Sequence, residues 1–321
     1  MALKHAKVSA IADGGDTTLV RPSDWNADHT VDAAGLTVLN ATSEPSTPAS
    51  GYISVYGKTI AGGGFLKYMN AAGEDTLVQP HIGQDKVVWF TALGNATTAI
   101  QAWGSPALTV VGTATARNWA STSLVTRMKR LGYITTATTA GLLVQMYQGV
   151  AQYSVGNGSG LGGFFSVCRF NVSDAATVAG ARMFVGMSSS VAAATNVEPN
   201  TLTNSVGVAA LSTSSNLNIV YGGSASQTAI DLGVNFPANS LSVDAYELVL
   251  YAPSNVNNVV GYKVTRLGTS YVAEGTLTAA TPGTQLPLNT TALAYRLWRC
   301  NNATALACAM DFTSLYIGTD Y

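Results

Sequence analysis

The chain has 321 residues, a formal net charge of -1 and only 10% charged side chains, against about 25% in an ordinary soluble domain. Near-neutrality leaves no general pull toward nucleic acid, and a hydrophobic content of 47% argues against disorder over most of the length. No apolar run approaches the ~18 to 20 residues that span a bilayer, so neither nucleic acid binding nor membrane insertion is expected.

The length admits two or three domains with substantial cores. Residues Met1 to Val8 lack the apolar stretch of a secretory signal, which points to assembly in a cytoplasm.

Residues 1–34 form a polar, turn-rich leader, with a chain reversal at Asp13-Gly14-Gly15-Asp16. Within it, Leu19-Val20-Arg21-Pro22-Ser23-Asp24-Trp25-Asn26-Ala27-Asp28-His29-Thr30 reads as a docking strip. Pro22 fixes its own φ and holds Arg21 extended, Ser23 or Asp24 can cap a turn, and Trp25 offers a large apolar face with one donor. Trp25 either docks on another protein or plugs the core of its own domain. The leader holds too little apolar residue to build a core, which favours docking. The strip resembles a short N-terminal signature of tail-fibre and related virion proteins of tailed bacteriophages. That resemblance implies a virion protein of the phage tail whose Trp25, Asn26 and His29 couple it to other tail or head proteins.

Residues 35–85 read as a small β collar or shaft. Strands are predicted at Leu36–Leu39, Tyr52–Tyr56 and Phe65–Met69, punctuated by the loop Ser43–Gly51, by Gly62-Gly63-Gly64 and by the turn Asn70–Gly73. Strands this short are marginal alone and gain stability by pairing with copies of themselves, which suits a homotrimer. The run from Pro48-Ala49-Ser50-Gly51 to Asp75-Thr76-Leu77-Val78-Gln79-Pro80 is also similar to the segment following the leader in phage fibre proteins.

Residues 86–140 read as a linker carrying one helix, Ser121–Gly132. Serine or threonine caps its start, Leu124, Met128 and Leu131 share a face, and Gly132 ends it. No acidic residue lies between Asp85 and Asp174, yet Lys86, Arg117, Arg127, Lys129, Arg130 and Arg169 fall inside. This basic stretch reads either as a contact for an anionic surface or a neighbouring subunit's acids, or as a solvated helix end. The second reading is favoured, because most of these charges lie in or beside the helix.

From 141 to 321 nearly every segment reads as strand. Phe164–Phe170 and Arg182–Met187 are apolar on both faces, while Leu217–Tyr221, Tyr246–Tyr251 and Tyr262–Thr265 alternate. Gly268-Thr269 turns the chain toward Tyr271–Leu277, and Met310–Ile317 closes the set. The expected fold class is therefore all-β, an antiparallel sandwich whose strand rhythm resembles the jelly roll of concanavalin-like domains.

Chemistry-bearing motifs are sparse. Gly158-Ser159-Gly160-Leu161-Gly162-Gly163 fits G-x-G-x-x-G but leads into a predicted strand rather than a helix, so no dinucleotide site is expected. Cys168, Cys300 and Cys308 give no disulfide framework or zinc spacing and read as small buried hydrophobes. The histidines, His5, His29 and His81, leave the last 240 residues without a base for nucleophilic catalysis. No cofactor and no metal is expected, although calcium held by scattered oxygens would escape this reading. Sequons at Asn40, Asn95, Asn171, Asn289 and Asn302 are explained by composition alone.

Glu247 and Glu274 lie on predicted neighbouring strands and offer two carboxylates for glycoside cleavage; solvated surface acids are the alternative, and the chain is expected not to be an enzyme. Aromatic residues beside Asn and carbonyls suit sugar binding, which makes Asn157, Tyr251, Asn255, Trp298 and Asn301 candidate receptor contacts. Each aromatic reads equally as core or intersubunit packing. The expectation is a homotrimeric tail fibre or receptor-binding protein that attaches to a host glycan or outer-membrane receptor by many weak contacts. The alternatives are a capsid-decorating head fibre and a polysaccharide-cleaving tailspike.

Overall fold

The computed structural model describes residues 2–3, 29–30, 44–71, 75–77, 86–97, 101–136 and 139–319. In chain order the first strands are β1 (Ala2–Leu3), β2 (His29–Thr30), β3 (Ile53–Ile60), β4 (Gly63–Asn70) and β5 (Asp75–Leu77). Next come β6 (Lys86–Thr91), β7 (Gln101–Trp103), β8 (Thr109–Val111), β9 (Thr113–Ala116), the helical turn α1 (Leu124–Arg127), β10 (Leu131–Ile134) and β11 (Leu143–Tyr147). The central strands are β12 (Phe164–Val172), β13 (Arg182–Ser188), β14 (Ser205–Ala210), β15 (Leu217–Gly222) and β16 (Ile230–Asp231). The last are β17 (Tyr246–Ala252), β18 (Val259–Arg266), β19 (Val272–Thr278), β20 (Ala294–Cys300) and β21 (Ala309–Thr319). The chain divides into a smaller unit, Met1–Lys58 with Leu66–Thr76, and a larger one, Thr59–Phe65 with Leu77–Tyr321.

Strands β3, β4 and β5 form a three-stranded sheet. The expected Gly62–Gly64 break is a tighter reversal: Ala61 (φ 50°) and Gly62 (φ 83°) make the turn, while Gly63 and Gly64 already belong to β4. A two-residue hairpin whose turn residues both have positive φ matches the twist of its strands, which explains why the reversal is so short.

The larger unit is a sandwich of two antiparallel sheets. The first runs β19-β18-β17-β12-β21-β10-β9, with β6 also on β21 and β7 on β6; the second runs β16-β15-β14-β13-β20-β11-β8. The eleven-residue β21 gives one edge to two partners in turn, β10 along Ala309–Phe312 and β6 along Ser314–Thr319. After β12 the chain crosses to the second sheet, returns for β17 to β19, crosses again for β20 and returns for β21. This is the double-sheet crossing of a jelly roll, as the strand rhythm predicts.

Alternation explains the core. Cys168 and Phe170 of β12, Leu248 and Leu250 of β17, and Leu315 and Ile317 of β21 meet Met183, Val185 and Met187 of β13 and Tyr295 and Leu297 of β20 in one buried cluster. The opposite face of the second sheet is also apolar, with Phe184, Ala209, Val220, Trp298 and Cys300 in a second cluster. All three cysteines are free and buried, the environment expected of small hydrophobes.

Two expectations change. The segment read as a linker supplies β6 to β10 of the sandwich, because β6 and β10 find a distant partner in β21 and β7 and β9 then pair with them. The predicted helix shrinks to the single turn α1. Ser123 Oγ accepts from the Thr126 N–H at 3.2 Å and Thr126 Oγ1 accepts from the Ser123 N–H at 3.0 Å, a reciprocal cap. Met128 is already extended, and Leu131 and Gly132 enter β10 between β9 and β21. A ladder on both sides of the strand outweighs the weak propensity of one helical turn.

The basic stretch divides: Arg127 and Lys129, at the helical turn, are exposed as a solvated helix end requires, while Arg117, Arg130 and Arg169 are paired with acids. Asp311, fully buried on β21, accepts from Arg117 Nε at 2.8 Å, Ser173 Oγ at 2.6 Å and Asn171 Nδ2 at 3.3 Å, and pairs with Arg130 Nη1. Gly132, the register partner of Asp311, makes room for this network: a Cβ there would lie 2.5 Å from Arg117 Nε. Arg169 pairs with Glu247 at 2.7 Å across β12 and β17. For these three arginines the acids missing locally are supplied by the later strands β17 and β21.

Candidate functional site

Trp25 and Asn26 lie outside the described residues. The backbone of His29 is in β2, paired with Leu3 of β1. Of the five expected receptor contacts, three share one end of the sandwich. Asn157 is half-buried and its Oδ1 accepts from the N–H groups of Ser159 and Leu161, at 2.8 and 3.1 Å. The N–H groups of Gly158 and Gly160 both donate to the Ser254 carbonyl, at 3.2 and 3.1 Å. This knits the glycine-rich loop to the loop bearing Asn255, which is exposed. A Cβ on Gly163 would lie 2.7 Å from the Ala252 carbonyl, so the glycines serve close backbone approach; β12 follows, and the G-x-G-x-x-G pattern opens no helix. Tyr251 is half-buried beside Phe65 and Phe165.

Trp298 and Asn301 are corrected. Trp298 is on strand β20 rather than in a loop, 1% exposed, and stacked on Phe184 with ring centroids 6.5 Å apart. It therefore gives packing and a floor, not a free platform. Asn301 is fully buried: its side chain accepts from the Leu142 N–H and donates to the carbonyls of Thr139 and Leu306, each at 2.9 Å. Every bond it makes orders a neighbouring loop.

Strand alternation places Arg296, Trp298 and Cys300 on the outward face of β20, beside Tyr147, Gln145 and Leu143 of β11. Residues 189–204 pass over this face, held by side chains of the strands beneath. Gln145 Oε1 accepts from the Ala194 N–H at 2.7 Å, and Arg182 reaches Glu198 and Asn196, both at 2.7 Å. Glu198 also accepts from the Ser212 N–H and hydroxyl, and Arg296 Nη2 donates to the Ala192 carbonyl at 2.7 Å. Polar staples of this kind fix a loop over a sheet without filling the space under it.

The space left is a pocket of about 300 Å³, at the lower end of the roughly 300 to 1,000 Å³ of small-molecule sites. Ser188, Ser189, Ser190, Thr195, Thr201 and Thr203 line it together with Arg296 and Trp298, and its lining includes no carboxylate; the Thr201 hydroxyl donates to the Glu198 carbonyl and that of Ser188 accepts from the Ser190 N–H. Arg296 is 5% exposed. Its other contacts are a 3.5 Å approach of Nη1 to the Ser190 carbonyl and the Tyr147 ring, 5.9 Å from its guanidinium carbon. Nε has no partner. Burial, opposed by Tyr147, lowers the pKa of Arg296 below its ordinary value.

The buried Arg130 and Arg299 differ, since each pairs with a fully or almost fully buried aspartate: Asp311 for the first, Asp174 for the second. Among the described residues no ion pair reaches Arg296. The sequence signal for this site was the pair of arginines in the otherwise apolar run Ala294-Tyr295-Arg296-Leu297-Trp298-Arg299-Cys300. Sequence reading singled out its tryptophan and passed over Arg296.

The two carboxylates considered for cleavage do not meet. β18 lies between β17, with Glu247, and β19, with Glu274. Glu247 holds Arg169, and Glu274 accepts from the Ala61 N–H at 2.5 Å. Among the described residues no three His, Cys, Asp or Glu side chains gather as metal ligands would. On the outward face of the first sheet Trp89 and Trp103 are register partners, 52% and 64% exposed, a pair the sequence reading did not select.

No family model and no curated protein matches the chain. Among solved structures it is similar to a protein of unknown function from Shewanella oneidensis, at 11% identity over 72% of this chain and 84% of that one, with a TM-score of 0.44. Peanut lectin with a 9mer peptide is similar at 12% identity over 73% and 98%, TM-score 0.45. Winged bean acidic lectin with methyl-α-D-galactose is similar at 9% identity over 73% and 98%, TM-score 0.44.

Proposed function

We propose that this chain is a structural protein of a tailed-phage virion, a tail fibre or receptor-binding protein that attaches to the host surface. Its leader docks the particle through Trp25, Asn26 and His29, and its sandwich binds a host glycan. The observation that carries the binding half is the hydroxyl-lined pocket over the outward face of the second sheet, floored by Trp298 and Arg296. Hydroxyls and a guanidinium on a rigid sheet are donors suited to a sugar's oxygens. The engaged and separated positions of Glu247 and Glu274 support binding rather than cleavage.

One such pocket per subunit is weak, and a homotrimer repeated around the virion would gain affinity by simultaneous engagement. The test is adsorption. Purified protein at saturating dose is expected to block attachment of the phage that carries it, and labelled antibody is expected to mark the tail. Unimpaired adsorption would remove the attachment role, label on the head would replace the tail fibre with a capsid decoration, and shortened host polysaccharide would replace adhesin with tailspike.

A further inference from the structure

Arg296 is a buried cation that no acid among the described residues pairs with. Desolvating a guanidinium is costly unless an anion or a full set of acceptors replaces the lost water. Arg299, three residues along the same strand, receives Asp174, and Arg130 receives Asp311. Each of the three keeps one guanidinium nitrogen without a partner, Nη1 of Arg299 and Nε of Arg130 and Arg296; Arg296 stands apart because it receives one good carbonyl bond, one long one and an aromatic face in place of a carboxylate. The pocket that it lines presents hydroxyls and an indole and carries no acid of its own. A field of that sign, enclosed by low-dielectric walls, favours an anion.

We infer that this pocket takes a carboxylate-bearing sugar, with the acid group neutralising Arg296 and the ring hydroxyls bonded by the serines and threonines. A neutral hexose fills the same volume but leaves the guanidinium uncompensated. The inference rests on the attachment reading above and narrows it to acidic glycans.

The test titrates the intact protein with methyl β-D-glucuronide and, separately, with methyl β-D-glucoside. The glucuronide is expected to bind saturably and the glucoside about tenfold more weakly, the ratio that one hydrogen bond to a charged group is worth. Added salt should narrow that ratio. Arg296→Gln is expected to abolish the preference. Because Arg296 also holds the loop, Ala193→Phe provides a second variant, filling the pocket without touching the guanidinium; it should weaken both sugars with an unchanged melting temperature. Arg169→Gln, which removes an exposed arginine from the other sheet, should leave the titration as it is. Equal affinity for the two sugars, or a preference that survives both pocket variants, overturns the inference. If the protein blocks phage adsorption but glucuronide neither binds nor competes, attachment stands and the acidic-sugar assignment falls.

Discussion

Arg299 and Arg296 sit three residues apart on β20, one at the inner end of the sandwich and the other on its outward face, and they are buried on different terms. Arg299 is fully enclosed: its Nε lies 3.0 and 3.1 Å from the two carboxylate oxygens of Asp174, and Asn239 accepts from Nη2 at 2.7 Å. Asp174 in turn accepts the Ala309 N–H at 2.7 Å. The charge is matched there by a carboxylate, although Arg299 Nη1 keeps no hydrogen-bond partner, and the region reads as architecture. Around Arg296 the set is open, facing a pocket instead of an acid. At Arg299 the match within the chain serves stability; at Arg296 no described acid makes the match, and the proposed acidic sugar would.

Substitutions sharpen this contrast. The largest effect is expected for Asp311→Ala, which leaves Arg117 and Arg130 without their acid. Breaking one side of a buried pair costs about 3–5 kcal/mol, and chemical denaturation should show a loss of that size with the slope unchanged; a loss within experimental error would mean that the network is solvated. Arg299→Met should cost nearly as much alone, and combining it with Asp174→Leu should cost less than the two single losses summed. An additive double mutant would show that the pair is not coupled.

Arg296→Gln should be milder, about 1–2 kcal/mol, because it removes bonds to carbonyls but strands no acid. A cost matching that of Asp311→Ala would place Arg296 among the structural arginines, with Arg130 and Arg299.

The smallest effect concerns the thiols. Burial, the largest influence, pushes Cys308 from an ordinary 9.0 up to about 11. The unfolded thiol ionises first, so its contribution to stability is intact below pH 9 and declines as pH rises from 9 to 11. Alkaline melting curves should fall less steeply in Cys308→Ala, and native protein should resist thiol reagents at neutral pH. Rapid labelling without denaturant would contradict the burial.

Much of this fold was legible because the sandwich strands carry their own pattern. Phe164–Phe170 and Arg182–Met187 carry apolar residues on both faces because one face meets the shared core and the other is covered locally, Phe165 by the Ile60–Ala61 hairpin tip and Phe184 by a loop. The segment 86–140 was not legible, because its strands are three to six residues long: β6 and β10 form against β21, β8 forms against β11, and β7 and β9 add to β6 and β10 in turn. The Ser121–Gly132 periodicity misled for the same reason: Leu131 and Gly132 obey a ladder formed by residues about 180 positions away.

At the site, aromatic residues beside asparagine proved an ambiguous signal. It found Tyr251 and Asn255 near the glycine loop, but at Trp298 and Asn301 it found packing. Arginine in an apolar strand was the better pointer, yet only three-dimensional pairing separates Arg296, open to a ligand, from Arg299, closed on Asp174.

The most direct measurement follows the side-chain N–H signals of Arg296 and Trp298 by nuclear magnetic resonance as methyl β-D-glucuronide is added. The account predicts that both shift along one saturable curve and that methyl β-D-glucoside moves the Arg296 signal far less. Signals that stay fixed at saturating glucuronide, or that respond alike to both sugars, would contradict it.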